Sequence, residues 1–281
     1  MKIRDVLNYL EHLHRSHRSE PKVLQGLVWL DHVLLLTGLD LSDFARKFLD
    51  HHSERSGLIY KWAKGTATPG KSSVRRINKK LPGSSAIYHL PLFSLLDPRP
   101  LSKKRVKKLL ATYEIPERHL FPWVFPNDEE LREQNHFIHT MIRDDSHALF
   151  SRGDIYGYTV IVGLVREAEA KGDVNSVMRH LPYMYRAFPA VARIPWFRNH
   201  INLLRKCVDQ ISYRNYVVNL TFDVNWPAIN KQINAPVHET IREKCPRDPK
   251  TSRFILPEDP VVYRQPGIDT YAMEAENLPI K

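Results

Sequence analysis

Hydrophobic residues recur at intervals of three and four along most of the chain up to about residue 245, which predicts a mainly α protein. Residues 3–17 carry such a stripe and are predicted to form a first helix. Residues 23–37 are apolar on nearly every side, and a helix of that kind is buried. We therefore expect residues 23–37 to form the central helix of the N-terminal part and to end at Gly38.

A short helix with two contrasting faces is predicted around Trp62. Ile59 and Trp62 are three residues apart, so both fall on one face of a helix. Gly65 lies where this helix would end and where the chain would need a positive φ. The other face carries Ser56, Tyr60, Lys61 and Lys64. A helix that is fixed through an apolar face and offers a basic one is what reading of the major groove requires.

Further helices are predicted on both sides of this one. Residues 41–49 carry an apolar stripe, with Ser42 as the N-cap. A basic helix is predicted from Lys71 to Leu81, just after Pro69. Gly57 is expected to lie inside the middle helix, where glycine costs ~1 kcal/mol relative to alanine.

The three helices and the spacing Trp62-x-x-Gly65-x-x-x-Pro69 resemble the phage-repressor-type (Cro or XRE-like) helix-turn-helix, over about residues 23–82. The resemblance implies that the middle helix is the recognition helix and that the protein binds double-stranded DNA. The residues expected to contact DNA are Arg55, Ser56, Gly57, Tyr60, Lys61, Lys64, Thr66, Thr68, Lys71, Arg75, Arg76, Lys79 and Lys80. The residues alone also fit a plain three-helix core anchored by Trp62.

The positive charge of the chain is concentrated in its first part. The net charge is +11, with 42 Lys and Arg against 31 Asp and Glu. Residues 1–110 hold 21 cationic and 9 anionic side chains, a balance of +12, whereas residues 111–281 have 21 and 22, a balance of −1. This asymmetry is typical of a polyanion-binding part joined to a neutral part, although a basic surface that only keeps the protein soluble has the same composition.

A second basic helix is predicted at residues 103–113, with Ser102 as its N-cap. Its inward positions are apolar, and its outward positions are Lys103, Lys104, Arg105, Lys107 and Lys108. Cations so close together repel each other unless an anion neutralises them. This helix is a second candidate for phosphate contact, or a strut beside the first.

The pattern predicts four parts along the chain. Residues 1–113 are the basic DNA-binding domain, and the proline-punctuated residues 114–127 are a connector. Residues 128–245 are a helical domain for dimerisation, partner binding or ligand binding. Residues 246–281, with six prolines, are an extended or disordered tail in which residues 253–256 and 261–263 could dock locally. Helices of the third part are predicted at residues 128–143, 154–170, 174–188 and 196–211, followed by a strand or a last helical turn at 215–222.

No catalytic motif, metal site or cofactor site is predicted. The densest group of metal-ligand side chains is His136, His139, Asp144, Asp145 and His147, but it lacks a third ligand at a diagnostic spacing. Cys207 and Cys245 are expected to be plain thiols. Six tyrosines of the second half are expected in the core or around a small-ligand pocket: Tyr156, Tyr158, Tyr183, Tyr185, Tyr213 and Tyr216. Since neither a signal peptide nor a long apolar run is visible, we expect a cytoplasmic protein that does not enter a membrane.

The hypothesis that follows is a sequence-specific DNA-binding protein, a transcriptional regulator of prokaryotic or phage type. Its duplex affinity is expected in residues 1–113 and not in residues 128–281. One alternative is a non-enzymatic interaction protein of a mobile element or defence system that sits on nucleic acid. Another is an enzyme whose site includes residues 136–147.

Overall fold

The computed structural model describes residues 19–49, 56–111, 146, 149–150, 153–215, 221–235 and 260–264. Within these residues it has thirteen helices and two short strands, which confirms the mainly α prediction. The chain divides into two compact units, one up to Asn215 and one from Tyr216 onward. The helices are α1 (Glu20–Thr37), α2 (Leu41–Phe48), α3 (Leu58–Ala63), α4 (Lys71–Lys80), α5 (Ser85–Tyr88), α6 (Leu92–Leu95), α7 (Lys103–Leu110), α8 (Ile155–Lys171), α9 (Val174–Arg186), α10 (Phe188–Ala192), α11 (Pro195–Arg198), α12 (Ile201–Arg214) and α13 (Trp226–Asn234).

Helix α1 is the central helix of the first unit, as its apolar sequence predicts. It contacts α2, α3, α5 and α6 of the N-terminal part and also α11 and α12. Its side chains Leu24, Val28 and Trp29 are fully buried. The helix ends at Gly38, whose φ of 64° is the left-handed conformation that glycine adopts without a steric penalty. The Gly38 N–H donates to the Leu34 carbonyl, which closes the last turn.

Two predictions around α2 and α3 are corrected by the structure. The N-cap of α2 is Asp40 and not Ser42, because Asp40 Oδ1 accepts a hydrogen bond from the Asp43 N–H at 2.8 Å. Gly57 does not lie inside the middle helix but directly before α3, with a φ of 63°. Glycine is favoured in that conformation, so the cost expected for glycine within a helix does not arise.

Two short helices follow α4 in the N-terminal part. They are α5 and α6, which are separated around Leu90 and Pro91. Helix α7 begins at Ser102, whose Oγ accepts from the Arg105 N–H at 3.3 Å, as predicted.

The helices of residues 153–215 are confirmed, but two of them are broken. Asp154 caps α8, predicted at residues 154–170, by accepting from the Gly157 N–H at 2.7 Å. The helix predicted at 174–188 ends at Arg186, and α10 continues beyond it. The reason is Pro189, which has no N–H for the i−4 carbonyl and would clash with it. The segment predicted at 196–211 is likewise two helices, α11 and α12, separated at Asn199 and His200.

The two groups of helices in the first unit pack directly on each other. His200 Nε2 lies 3.0 Å from Asp31 Oδ2 of α1, and the rings of Phe93 and Phe197 stack with centroids 6.3 Å apart. The predicted connector, residues 114–127, lies outside the described residues. The boundary between the two compact units falls after Asn215.

The second unit has a small antiparallel sheet of β1 (Thr221–Val224) and β2 (Val261–Arg264). Thr221 pairs with Arg264 and Val224 with Val261. Strand β2 includes residues 261–263, one of the two stretches of the proline-rich tail for which local docking is predicted. The other stretch, residues 253–256, lies outside the described residues. Helix α13 begins at Asn225, whose Oδ1 accepts from the Ala228 N–H at 3.0 Å. The predicted helices at 3–17 and 128–143 lie outside the described residues.

Candidate nucleic-acid interface

Helix α3 has the two faces that its sequence predicts. The side chains of Ile59 and Trp62 are buried, at 1% and 2% exposure. Tyr60, Lys61 and Lys64 are exposed. At 100° per residue the mean direction of these three lies about 180° from the mean direction of the buried pair. The polar and basic surface of α3 therefore faces outward, and the buried side chains on the opposite face fix the orientation of the helix.

Aromatic packing on α1 fixes that orientation. The Trp62 ring meets the edge of Trp29 at a centroid distance of 6.1 Å, and Tyr88 meets Trp29 from another side at 5.9 Å. Trp29 is itself held, because its Nε1 donates to the Ser84 carbonyl at 3.0 Å. T-shaped aromatic pairs add to the stabilisation from apolar burial, so rotation of α3 about its axis is opposed by a packed core.

The turn after α3 lies close against α1 at two glycines. Gly65 has a φ of 67°, and a Cβ at this position would lie 2.9 Å from Val23 Cγ1. A Cβ at Gly26 would lie 2.8 Å from Pro69 Cδ. Tyr88 also donates its hydroxyl to the Pro69 carbonyl at 2.7 Å. The glycine and proline of the predicted motif are thus the points where the turn approaches the central helix.

Helix α4 presents a second basic surface. Val74 and Ile77 are buried, while Arg75 and Lys79 are exposed. Lys80 donates its ammonium to the Lys47 carbonyl at 3.1 Å, which joins the ends of α4 and α2. The outward direction of Arg75 and Lys79 is what phosphate contacts beside a groove require.

Among the described residues, no acidic side chain balances this charge locally. Residues 56–80 contain seven Lys or Arg side chains and no Asp or Glu. In α2, Asp40 is occupied as the N-cap and Asp43 pairs with Arg46 at 3.1 Å. Among the described residues no carboxylate forms an ion pair with the exposed cations of α3 and α4. The described residues of α3 and α4 therefore carry a net positive charge.

The predicted contact residues differ in their exposure to solvent. Tyr60, Lys61, Lys64, Lys71, Arg75 and Lys79 are exposed, and Ser56 is exposed at the start of the motif. Thr66 uses its hydroxyl within the protein by donating to the Lys61 carbonyl at 3.2 Å. Thr68 is half-buried against Gly26, and Arg76 and Gly57 are half-buried. Arg55 lies outside the described residues.

The supporting contacts were not visible in the sequence pattern. Asn78 Oδ1 accepts from the Ser85 N–H at 3.0 Å, and Ser84 is fully buried although its segment reads as a polar turn. These contacts join α4, α5 and α1 across up to 55 residues. The only sequence signal was the presence of Trp29 and Tyr88, two large aromatic residues with polar atoms that need partners when buried.

The other candidate residues of the sequence analysis are the possible metal ligands at 136–147 and the tyrosines of the second half. Residues 136–145 and His147 lie outside the described residues, and within the described ranges no three His, Cys, Asp or Glu side chains are grouped for a metal. Tyr158 and Tyr185 are core residues, at 1% exposure each. The Tyr185 hydroxyl donates to Asp209 at 3.0 Å, and burial raises the pKa of Asp209.

Within the described residues, no single helix is long and apolar enough to cross a membrane. Helices α1 and α2 reach that length and composition only as a pair, with a bend of 87° between them.

Comparisons with family models, with curated proteins and with solved structures gave no match for this chain.

Proposed function

We propose that this protein binds double-stranded DNA in a sequence-specific manner through α3, with α4 contacting the phosphate backbone. The observation that carries the proposal is the pairing of opposite faces on α3: Ile59 and Trp62 are buried, and Tyr60, Lys61 and Lys64 are exposed. Because the helix is fixed in orientation, its exposed side chains can meet base edges in a defined register. Sequence-specific binding would allow the protein to regulate transcription in the cytoplasm of a prokaryotic cell.

Each basic element has a separate role in this proposal. Lys61 and Lys64 carry ammonium groups that can donate to guanine O6 and N7 in the major groove. Tyr60 is 47% exposed and can contact a base edge or the sugar-phosphate backbone. Arg75 and Lys79 supply contacts to phosphate oxygens, which position the protein without reading sequence. Binding of this kind requires no covalent bond to form or break.

The proposal is tested by selection of bound sequences from random duplex DNA with the full chain. We expect enrichment of one short sequence, and loss of that enrichment in a Tyr60→Ala/Lys61→Ala variant that keeps its melting temperature. A matched variant, Arg179→Ala/Arg198→Ala, removes exposed cations elsewhere and should keep the enrichment. Equal retention of all duplexes by the unaltered protein would contradict sequence-specific binding.

A further inference from the structure

Helix α7 exposes a dense row of cations that the helix-turn-helix does not include. Five of the six residues from Lys103 to Lys108 are Lys or Arg, and all five are exposed. The opposite face is buried and consists of Val106, Leu109 and Leu110. At 100° per residue, Lys104, Lys107 and Lys108 point most directly away from the buried face.

The positions of these cations are unfavourable for the stability of α7. Lys104 has like charges at positions 107 and 108, three and four residues on, which are its neighbours on the helix surface. The first turn contains three cations and no acid, although the N-terminus of a helix favours negative charge. A cationic row that opposes both effects gains from binding a partner that supplies negative charge.

Within the described part of the chain, no anionic side chain pairs with this row. No described Asp or Glu forms an ion pair with the five cations of α7. The preceding acid in the sequence, Asp97, is occupied by Arg99, whose Nε and Nη2 donate to its two oxygens at 3.0 and 2.7 Å. Within the described residues, the row is therefore a positively charged surface without an ion-pair partner.

The row is also fixed in place. Ser102 caps the start of α7, and Leu110 packs so closely on α8 that a Cβ at Gly163 would lie 2.5 Å from Leu110 Cδ2. A helix that lies on a lipid bilayer inserts its apolar face, but the apolar face of α7 is covered by α8. The available interaction is thus with a polyanion through charge alone.

We propose that α7 is a second phosphate-binding surface, which contacts the backbone of duplex DNA through Lys104, Lys107 and Lys108 without reading bases. The choice of DNA as the polyanion rests on the proposed function. Duplex DNA offers about one negative charge per 1.7 Å of its axis, a density that matches a row of lysines along one helix. Bound phosphates also relieve the repulsion within the row.

The test uses the full chain with Lys104→Gln, Lys107→Gln and Lys108→Gln combined. Glutamine has nearly the same helix propensity as lysine, so the change removes charge and little else. Binding to a random-sequence duplex of about 30 base pairs, three helical turns, is measured between about 50 and 200 mM salt. We expect weaker binding and a slope of log affinity against log salt that is less steep by up to about 2.7, or 0.9 per lost contact.

The matched control is Arg179→Gln/Arg198→Gln/Lys231→Gln, which removes the same charge from exposed positions elsewhere. It should leave the slope almost unchanged. An unchanged slope in the α7 variant, or equal changes in both variants, would overturn the inference. So would binding of the unaltered protein to anionic phospholipid vesicles that the α7 variant loses while its duplex binding persists.

The two proposals fail in different ways. If the unaltered protein selects no sequence but the α7 variant still loses affinity for random duplex, the α3 proposal falls and the α7 inference stands. If the selected sequence is bound with the same affinity and slope by the α7 variant, the reverse holds.

Discussion

Lys61 and Trp62 are adjacent in the sequence but face opposite environments. Lys61 is exposed on the outward side of α3, whereas Trp62 is buried against Trp29. We expect Lys61→Ala to keep the fold and relax the base preference at one base pair of the DNA site, because a lysine contact to guanine contributes about 1–3 kcal/mol of discrimination. Melting temperature and base preference are the two measurements.

Trp62→Ala provides the contrast, since it deletes a ring that is 2% exposed. We expect a loss of about 3–5 kcal/mol in the free energy of unfolding, as for other buried aromatic side chains. If Lys61→Ala melted early while Trp62→Ala stayed folded and lost only its base preference, the two faces of α3 would have been assigned the wrong way round.

Gly65 is required for two separate reasons, and a second glycine separates them. Gly65→Ala places a Cβ on a residue with a φ of 67° and brings it within 2.9 Å of Val23 Cγ1. Gly57→Ala has a similar φ of 63° but no atom within 4 Å of the new Cβ. Each change should lower stability by about 1–3 kcal/mol through the backbone alone, and Gly65→Ala by more. Equal losses in denaturant titrations would show that the contact with α1 is unimportant.

At the scale of elements, α4 should affect affinity and not sequence preference. Arg75 and Lys79 are exposed on the side of α4 opposite its buried residues. We expect Arg75→Ala/Lys79→Ala to weaken binding to all duplexes alike and to reduce the salt slope by about 1.8, since each lost phosphate contact removes about 0.9. Titrations of the selected and of a scrambled duplex at several salt concentrations measure this. A loss confined to one sequence, with the slope unchanged, would contradict the assignment.

Helix α7 should become more stable when its charge is removed. Lys104→Gln/Lys107→Gln/Lys108→Gln eliminates like-charge pairs three and four residues apart, each of which costs about 0.2–0.5 kcal/mol. We expect a rise of about 0.5–1 kcal/mol in the free energy of unfolding at low salt and a smaller rise at high salt, where charges are screened. Denaturant titrations at both salt concentrations test this, and a loss of stability would show that the lysines contribute packing.

The periodicity of the sequence predicted elements well and their exact limits less well. Helices α1, α7 and α8 have apolar stripes or apolar surroundings that only a buried helix explains, and each was confirmed. The N-cap of α2 was wrong because Asp40 and Ser42 are both capping residues, and only the backbone conformation decides between them. The position of Gly57 was also predicted wrongly. A glycine can lie before a helix or within it, and only the backbone conformation decides between the two.

The candidate site was predictable only as far as local spacing reaches. The spacing of Ile59 and Trp62 predicted which side of α3 faces outward. It could not show that Thr66 donates to the Lys61 carbonyl or that Thr68 packs on α1, because both depend on how the turn folds back. The contact of Trp29 with Ser84 joins residues 55 positions apart, and no periodicity predicts such a pair.

At the scale of the whole molecule, the basic N-terminal helices are built into a larger unit. Arg166 of α8 is fully buried, and its Nη2 donates to the Arg99 carbonyl shortly before α7. Burial and the nearby Arg214 lower the pKa of Arg166 to about 10, so the guanidinium is still charged at neutral pH. Glu169 pairs with both arginines, which offsets the cost of burying them. The proposed DNA-binding surfaces thus lie in a unit that also includes helices beyond residue 153.

This packing predicts that the two parts bind each other when they are produced as separate chains. A fragment of residues 1–127 would expose Phe93, Val106 and Leu110, each worth about 1.5–3 kcal/mol when buried. We expect fragments 1–127 and 128–281 to co-purify after co-expression and to bind duplex DNA together, and the first fragment to be poorly folded alone. Size-exclusion chromatography and circular dichroism measure both properties.

A substitution at the contact between α7 and α8 supplies the control. Gly163→Leu in the second fragment places a branched side chain where even a Cβ would lie 2.5 Å from Leu110 Cδ2, so the yield of the two-chain complex should fall. Val174→Leu introduces the same residue at a position that is 50% exposed and should leave the yield unchanged. Separate elution of two folded fragments, with DNA binding by residues 1–127 alone, would instead favour an independent N-terminal domain. In that case the charge asymmetry of the sequence would mark a true domain boundary, and the contacts of Asp31 with His200 and of Leu110 with α8 would be dispensable for DNA binding.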